Sequence, residues 1–450
     1  MSMKKRNRIT IKNLKKIIDI IEVKNIKETE SYNYMRIIKE NINLDRAKVL
    51  YFPIYLNKND DQGGWYISDR DLRVYINNII EKNPNATFVV EKQMLKQITN
   101  LKAKLIIVNN IMESIDKLSD YYIKKVHPTT ILVTGSVGKT STVGLIEKVL
   151  KPKVLRIYSK RITPIILKAK IMNYLTEDIE YLVLEAGLFY RHHVKFFSEY
   201  LKPQIGVILN VLPEHIGIDH INTTEDIVRY KLEVFRYATY ALINQSDNSL
   251  KEVKFLENKI RYRDFSIESQ IKEVWDISKF NSKIHLYVNT ELSKIEYQAA
   301  FDIGKIIGLK EEKILNQLNH ASPVENRTQK KKIYNHNIIF DGDVSGVARF
   351  SLFTKHNYKN AVLVIRALTA NGEELENYSE LEQFFSRFEK VYIFDDVPEK
   401  HILTSSNVEI VKNHEFIKKI KKDTMIFYHY GSYYRKFNNF ALENLEKVIE

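Results

Sequence analysis

The chain is expected to fold as three α/β domains in series, the central one a parallel sheet built around a phosphate-binding loop. Three observations predict this. At 450 residues the chain exceeds what one compact core usually holds, and length alone implies about three domains. Short apolar strand-like runs alternate with helix-period segments along most of it. Within residues 129–150, TTILVTGSVGKTSTVGLIEKVL, a buried strand runs into a glycine-bearing loop and then directly into a helix.

Residues 1–127 carry the first alternation. VLYFPIYL reads as a strand, DRDLRVYINNIIEK as a helix, ATFVVE and KLIIVNN as strands, and IMESIDKLSDYYIKK as a helix. Pro128 precedes the next strand and sets the first boundary. Residues 128–325 form the central domain, with ILVTG, YLVLEAG, IGVILNV and YALIN as strands and a helix from about Thr224 to Phe235. Continuous apolar strands of this kind suit a parallel sheet covered on both faces. The polar, proline-containing stretch SPVENR sets the second boundary. Residues 326–450 repeat the pattern with IIFDGD, NAVLVIRAL, VYIFDD and TMIFYHYGS as strands.

Composition narrows the function classes. The 44% apolar and 11% aromatic content is that of a folded protein. No apolar run approaches the ~20 residues that span a bilayer, and MSMKKRNRITIKNLKK is followed by no apolar signal core. The absence of cysteine excludes disulfides and thiolate metal sites. A cytoplasmic protein, monomeric or a small homo-oligomer, is expected. The net charge of +14 raises a nucleic-acid-stimulated ATPase as a rival, but the basic residues are spread along the chain rather than massed. No specific nucleic-acid partner is expected; anionic small substrates are.

The loop is shorter than the common G-x-x-x-x-G-K-[ST] form, because Val133 stands where the first glycine would be. It reads T-G-x-x-G-K-T-S. Gly135 and Gly138 let the backbone approach phosphates with no Cβ in the way. Ser136, Val137 and Ser141 complete the cradle, Lys139 supplies a point charge, and the Thr140 hydroxyl is a candidate Mg²⁺ ligand. A plain strand–helix turn with a solvated lysine is the alternative.

Downstream, Glu185 ends one apolar strand and Asn210 ends another. A carboxylate at the carboxyl end of a strand in an open parallel sheet points toward the ligand crevice, although it could equally cap the following helix. His215 follows Asn210 by five residues, as a ligand or as an ordinary loop histidine, and Lys231 falls in the helical pattern beyond. Asn244, in ALINQSDNS, is a candidate base contact or the start of an Asx-type turn.

With the segments LEAG, PQIGVILNVLPEHI and RYK, this shortened loop resembles the Mur ligase family of ATP-dependent amide ligases. The likeness is greatest to the members that add D-alanyl-D-alanine and to the ligase domain of cyanophycin synthetase. It implies a three-domain architecture with a central P-loop ATPase domain and a Rossmann-like C-terminal domain. It also implies Thr140 and Glu185 as Mg²⁺ ligands, His215 at a second metal, and Lys231 either carbamylated as a metal ligand or left cationic beside the reacting phosphate. Asn210 and Asn244 then belong with the nucleotide.

HASPVENRTQ is similar to the family's entrance to the third domain, with Arg327 matching an arginine that approaches the ATP phosphates. Asp341 matches an aspartate on the ribose. Asn326 replaces a usual glycine, and the family's Asn-Pro signature in the third domain is absent. No uridine-binding motif stands out before residue 128. The resemblance implies a carboxylate–amine ligase using ATP and Mg²⁺ through an acyl phosphate, on a cell-wall precursor or, alternatively, building a poly-amino-acid or specialised peptide. A scaffold that keeps the fold without turnover is a further alternative.

Overall fold

The computed structural model describes residues 6–37, 48–56, 70, 71, 73–157, 162–188, 190–213, 216, 217, 221–324, 329–333, 336–342, 358–365, 378–395, 397 and 405–431. Three larger sheets follow one another along the chain, each mostly parallel. The structure therefore has the α/β architecture that the alternating pattern predicts.

The central sheet carries the phosphate loop. Its six described strands lie in the order Val154–Ile157, Tyr181–Glu185, Thr129–Thr134, Ile205–Ile208, Tyr240–Ile243, Glu273–Asp276, every pair parallel. Alternate side chains of these strands face opposite layers. Ile131, Val133, Val183, Ile205 and Val207 pack with the helices Lys139–Leu150, Glu291–Ile306 and Glu311–Asn319. Leu132, Leu182, Leu184 and Ile208 face the helices Pro164–Tyr174 and His193–Leu201 on the other side. Apolar residues at consecutive positions are thus required, which is why these strands read as unbroken apolar runs.

Local chemistry sets the helix ends. Thr163 caps Pro164–Tyr174 with proline at the first turn. A reciprocal capping box of Thr223 and Asp226 opens Thr224–Leu232, which continues as a 3₁₀ turn through Phe235.

The N-terminal sheet has the order Ile20–Lys24, Lys104–Val108, Thr87–Glu91, Val49–Tyr51, Tyr34–Arg36; only its first pair is antiparallel. Of the stretch expected as one helix before Thr87, Ile76–Lys82 is α-helical and Arg73–Tyr75 is a 3₁₀ turn. This sheet and the central one share a continuous apolar core running from Ile9 to Ile267. Asn173 seals the junction: its amide accepts from Met35 N at 2.8 Å and donates to Met35 O at 2.7 Å. Lys168, also buried, pairs with Asp116.

The third sheet runs Gln329–Ile333, His336–Gly342, Met425–Gly431, Tyr358–Ile365, Phe388–Phe394, Val408–Val411, antiparallel only at the first pair. Its apolar core is its own.

Candidate active site

Three strand ends build the site. The loop strand lies between Tyr181–Glu185 and Ile205–Ile208, with Val133 in register with Glu185 and with Val207, and Thr134 with Ile208. The carboxyl ends therefore open on one rim, where ligands of open α/β sheets bind.

The loop leaves Thr134 and turns through two glycines. Gly138 has φ +87°, a left-handed conformation, and caps the helix that begins at Lys139. A Cβ there would lie 2.9 Å from Glu296 Oε1 and from Leu292 Cδ1. Gly135 is required by close approach, since its Cβ would fall 3.0 Å from Leu209 Cβ. The helix N-terminus thus faces the rim with its first N–H groups and the positive end of its dipole, a ready anion site.

Asn210 holds the loop in shape. Fully buried, it accepts from Val137 N at 2.9 Å and donates to Val137 O at 3.0 Å, while its own carbonyl accepts from Ser136 N at 3.1 Å. Ser136 Oγ accepts from Leu212 N at 2.9 Å. The Lys139 ammonium curls back onto the carbonyls of Gly135 and Ser136, 2.7 Å from each. It is held at the loop, where an arriving phosphate would find it.

The Thr140 hydroxyl donates to Glu185 Oε2 at 2.9 Å. Two hard oxygen donors stand together beside the anion site, a set that suits Mg²⁺, which takes one or two protein oxygens and completes its shell with water and phosphate. Among the described residues no group of three or more His, Cys, Asp or Glu side chains could hold a metal by themselves.

Lys231 is buried on the helix Thr224–Leu232. Asp247, which composition did not single out, lies within its electrostatic reach. Burial pushes the Asp247 carboxyl above its ordinary range, against the pull of the Val211 and Ser249 N–H groups and the Lys231 ammonium. Asp247 accepts from Val211 N at 2.8 Å, tying the segment after the strand Ile205–Ile208 to the turn after Tyr240–Ile243. In that turn the Asn244 oxygen accepts from Ser246 N and Oγ, and its amide donates to Leu209 O at 3.0 Å. The geometry at Asn244 is that of an Asx turn.

His215 and Arg327 lie outside the described residues. Asp341 lies on His336–Gly342, in register with His429 at the carboxyl end of the third sheet. Sequence reasoning also missed Glu296. Its signal was present: a charged residue interrupting the buried stripe Leu292, Ile295, Ala299, Ile303 of one helix.

A glycine-turned anion loop on a parallel sheet, with a hydroxyl–carboxylate pair at its mouth, defines the class: a P-loop α/β protein. Residues 133–368 match the Mur ligase middle domain. That is just over half the chain, and it belongs to the Mur ligase family. Among curated relatives, it is 29% identical to the UDP-N-acetylmuramoyl-tripeptide--D-alanyl-D-alanine ligase of Rickettsia prowazekii over 41% of each chain. It is 25% identical to that organism's UDP-N-acetylmuramoylalanine--D-glutamate ligase over 62% of each. The matches thus span less than two thirds of these relatives' length. Among solved structures, MurF from Acinetobacter baumannii superposes with TM-score 0.70 at 13% identity, covering 98% of this chain and 100% of that one. MurF from Thermotoga maritima, solved in complex with ADP, gives 0.66 at 17% identity, covering 92% and 98%. These likenesses establish the three-domain fold.

Proposed function

We propose that the protein is an ATP-dependent carboxylate–amine ligase acting on a cell-wall precursor, with a UDP-muramoyl peptide as the carboxylate. The amine is D-alanyl-D-alanine or D-glutamate, the two amines named for the curated relatives. The observation that carries the reading is the Thr140–Glu185 pair at the mouth of the loop.

The substrate carboxylate attacks the γ-phosphorus of ATP, giving an acyl phosphate and ADP. The amine attacks the acyl carbon, loses a proton, and phosphate departs. Lys139 and the helix N-terminus hold the phosphates and offset their charge; catalysis is mostly positioning and electrostatics. Mg²⁺ held by Thr140 and Glu185 would reduce the repulsion between the triphosphate and the incoming carboxylate. His215 is proposed at a second metal. Lys231 is its carbamylated partner or a cation near the reacting phosphate. Arg327 and Asp341 are assigned to the phosphates and the ribose when the third domain closes, which excludes water from the acyl phosphate. Domain limits at 127/128 and 325/326 belong to this reading, as does a cytoplasmic location; among the described residues no helix is long and apolar enough to cross a membrane.

The test is ADP release from Mg²⁺-ATP with a UDP-muramoyl peptide and either amine, using Lys139→Ala as the blank. Release that requires carboxylate and amine together, and is lost in the variant, supports the ligase. Release unaffected by either substrate rejects it.

A further inference from the structure

Two short runs, residues 330–332 and 418–422, are the exceptions to the even spread of basic residues; all but Ile420 in them are lysine. They are far apart in sequence, and the third sheet brings them together. Lys332 is in register with Asn337, and Asn337 with Met425. Two strand spacings, about 10 Å, therefore separate Lys332 from the start of Met425–Gly431. Lys421 and Lys422 lie in the turn that leads into that strand, where Thr424 N donates to Lys421 O at 3.2 Å.

The backbone that presents these lysines is fixed from beneath. The 3₁₀ turn His414–Lys419 buries Phe416 and Ile417. Phe416 stacks on Tyr392 with ring centroids 4.2 Å apart, and His414 Nε2 lies 2.7 Å from Tyr428 Oη. Lys332, Lys418, Lys419, Lys421 and Lys422 are left exposed. Among the described residues none of the five forms an ion pair; the Lys390–Glu409 pair of this sheet belongs to its opposite edge. A single carboxylate, Asp423, follows the run. Like charges held close on a rigid backbone repel one another, and an anionic partner relieves that repulsion.

Position and chemistry select the partner. The cluster lies at the amino ends of His336–Gly342 and Met425–Gly431, whereas Asp341 and His429 lie roughly 13 Å further along those strands. A surface docked on the cluster leaves the carboxyl rim open. A lysine ammonium is a point charge that any phosphate oxygen satisfies. The cluster contains no arginine fork and no aromatic ring, the groups that read or stack on nucleic-acid bases.

We propose that this end of the third sheet docks the protein on a bilayer surface rich in anionic phospholipid headgroups. Each lysine brought to such a surface strengthens binding roughly fivefold, so the cluster supports a reversible attachment.

Flotation of the full chain with vesicles tests this, using phosphatidylcholine alone and phosphatidylcholine mixed with phosphatidylglycerol. The wild type should float with the mixed vesicles at about 0.1 M salt and ignore phosphatidylcholine alone. It should stay behind at ~1 M salt, where the Debye length shrinks to about 3 Å. Lys418→Gln, Lys419→Gln, Lys421→Gln and Lys422→Gln together should weaken that binding at least a hundredfold, flagged by four losses of roughly fivefold each, with the thermal midpoint kept. Lys82→Gln, Lys92→Gln, Lys96→Gln and Lys102→Gln together remove the same charge from exposed positions of the N-terminal domain and should leave flotation unchanged. Equal losses in the two variants would assign binding to net charge and overturn the proposal. No flotation, or equal flotation with both vesicle types, overturns it as well. Tighter binding of the wild type to a short DNA duplex than to the mixed vesicles, lost in the cluster variant, would identify a nucleic-acid site instead and also overturn it. If the fourfold cluster variant misfolds, Lys421→Gln with Lys422→Gln decides: at least tenfold weaker flotation is expected, and unchanged flotation overturns.

Discussion

The hydroxyl of Thr140 donates to the carboxylate of Glu185 across 2.9 Å, joining the first turn of the loop helix to the end of the neighbouring strand. Thr140 is buried and is the second residue of its helix, so the pair is held by two rigid elements. Thr140→Val and Glu185→Gln should each lower kcat by roughly 10²-fold or more, on the scale of removing one preorganised polar group from an active site. The Mg²⁺ concentration for half-maximal rate should rise. Loss of a single hydrogen bond costs only ~0.5–1.5 kcal/mol of stability, so both variants should fold. An unchanged Mg²⁺ titration in both would remove the pair from metal binding.

Asn210 is the prop beneath the loop. Asn210→Ala deletes both side-chain bonds to Val137 and leaves a buried backbone N–H without its acceptor, at a cost of about 1–3 kcal/mol. Denaturant unfolding should show that loss, and ATP affinity should fall with it because the cradle loosens. Full stability with full affinity would contradict the role.

Gly144 faces the linker. A Cβ at this position would collide with Val324 Cγ2, so Gly144→Ala must push the linker off the helix, where Lys148 also donates to Ser322 O at 2.6 Å. The variant should lose most of its kcat with a smaller change in thermal midpoint. Adding Val324→Ala vacates the contested space and should restore much of the rate. Failure of that rescue would sever the linker from catalysis.

Asp302 predicts a pH effect on stability. Burial drives its carboxyl up to about 7, with Asp276 adding to the rise and the Gln298 hydrogen bond opposing it. In the unfolded chain it would titrate near its ordinary value of 3.8. Between these values the folded state binds more protons than the unfolded one, so this group's contribution falls as pH rises from about 4 to 7, at ~1.4 kcal/mol per unit. Asp302→Asn keeps the oxygen that accepts from Gln298 Nε2 at 2.7 Å. It should flatten that part of the stability curve and be more stable than the wild type at pH 8. An unaltered slope between pH 4 and 7 would place the carboxyl's titration elsewhere.

How much of this was legible follows from how local each feature is. The loop was readable because its glycines and Lys139 lie within five residues of one another, between a strand and a helix that are themselves strongly patterned. Glu185 was readable as a strand end. The prop on Val137 was not: Asn210 sits 73 residues away, and only the parallel register of two strands brings them together. Asp247 looked like part of a turn, and it is, but its bond to Val211 across 36 residues depends on strand order. The meander of Lys254–Leu256, Lys259–Tyr262 and Phe265–Glu268 went unread because its strands are short and mostly exposed. They carry little of the apolar pattern that announces a core strand.

The central claim is that a carboxylate is activated as an acyl phosphate. The most direct test labels the reacting carboxylate of the UDP-muramoyl peptide with ¹⁸O and follows the label during turnover with ATP and the amine. Transfer of one ¹⁸O into the released phosphate is the predicted result, because the carboxylate oxygen that attacks the γ-phosphorus departs with it. Amide product accompanied by unlabelled phosphate would contradict the account.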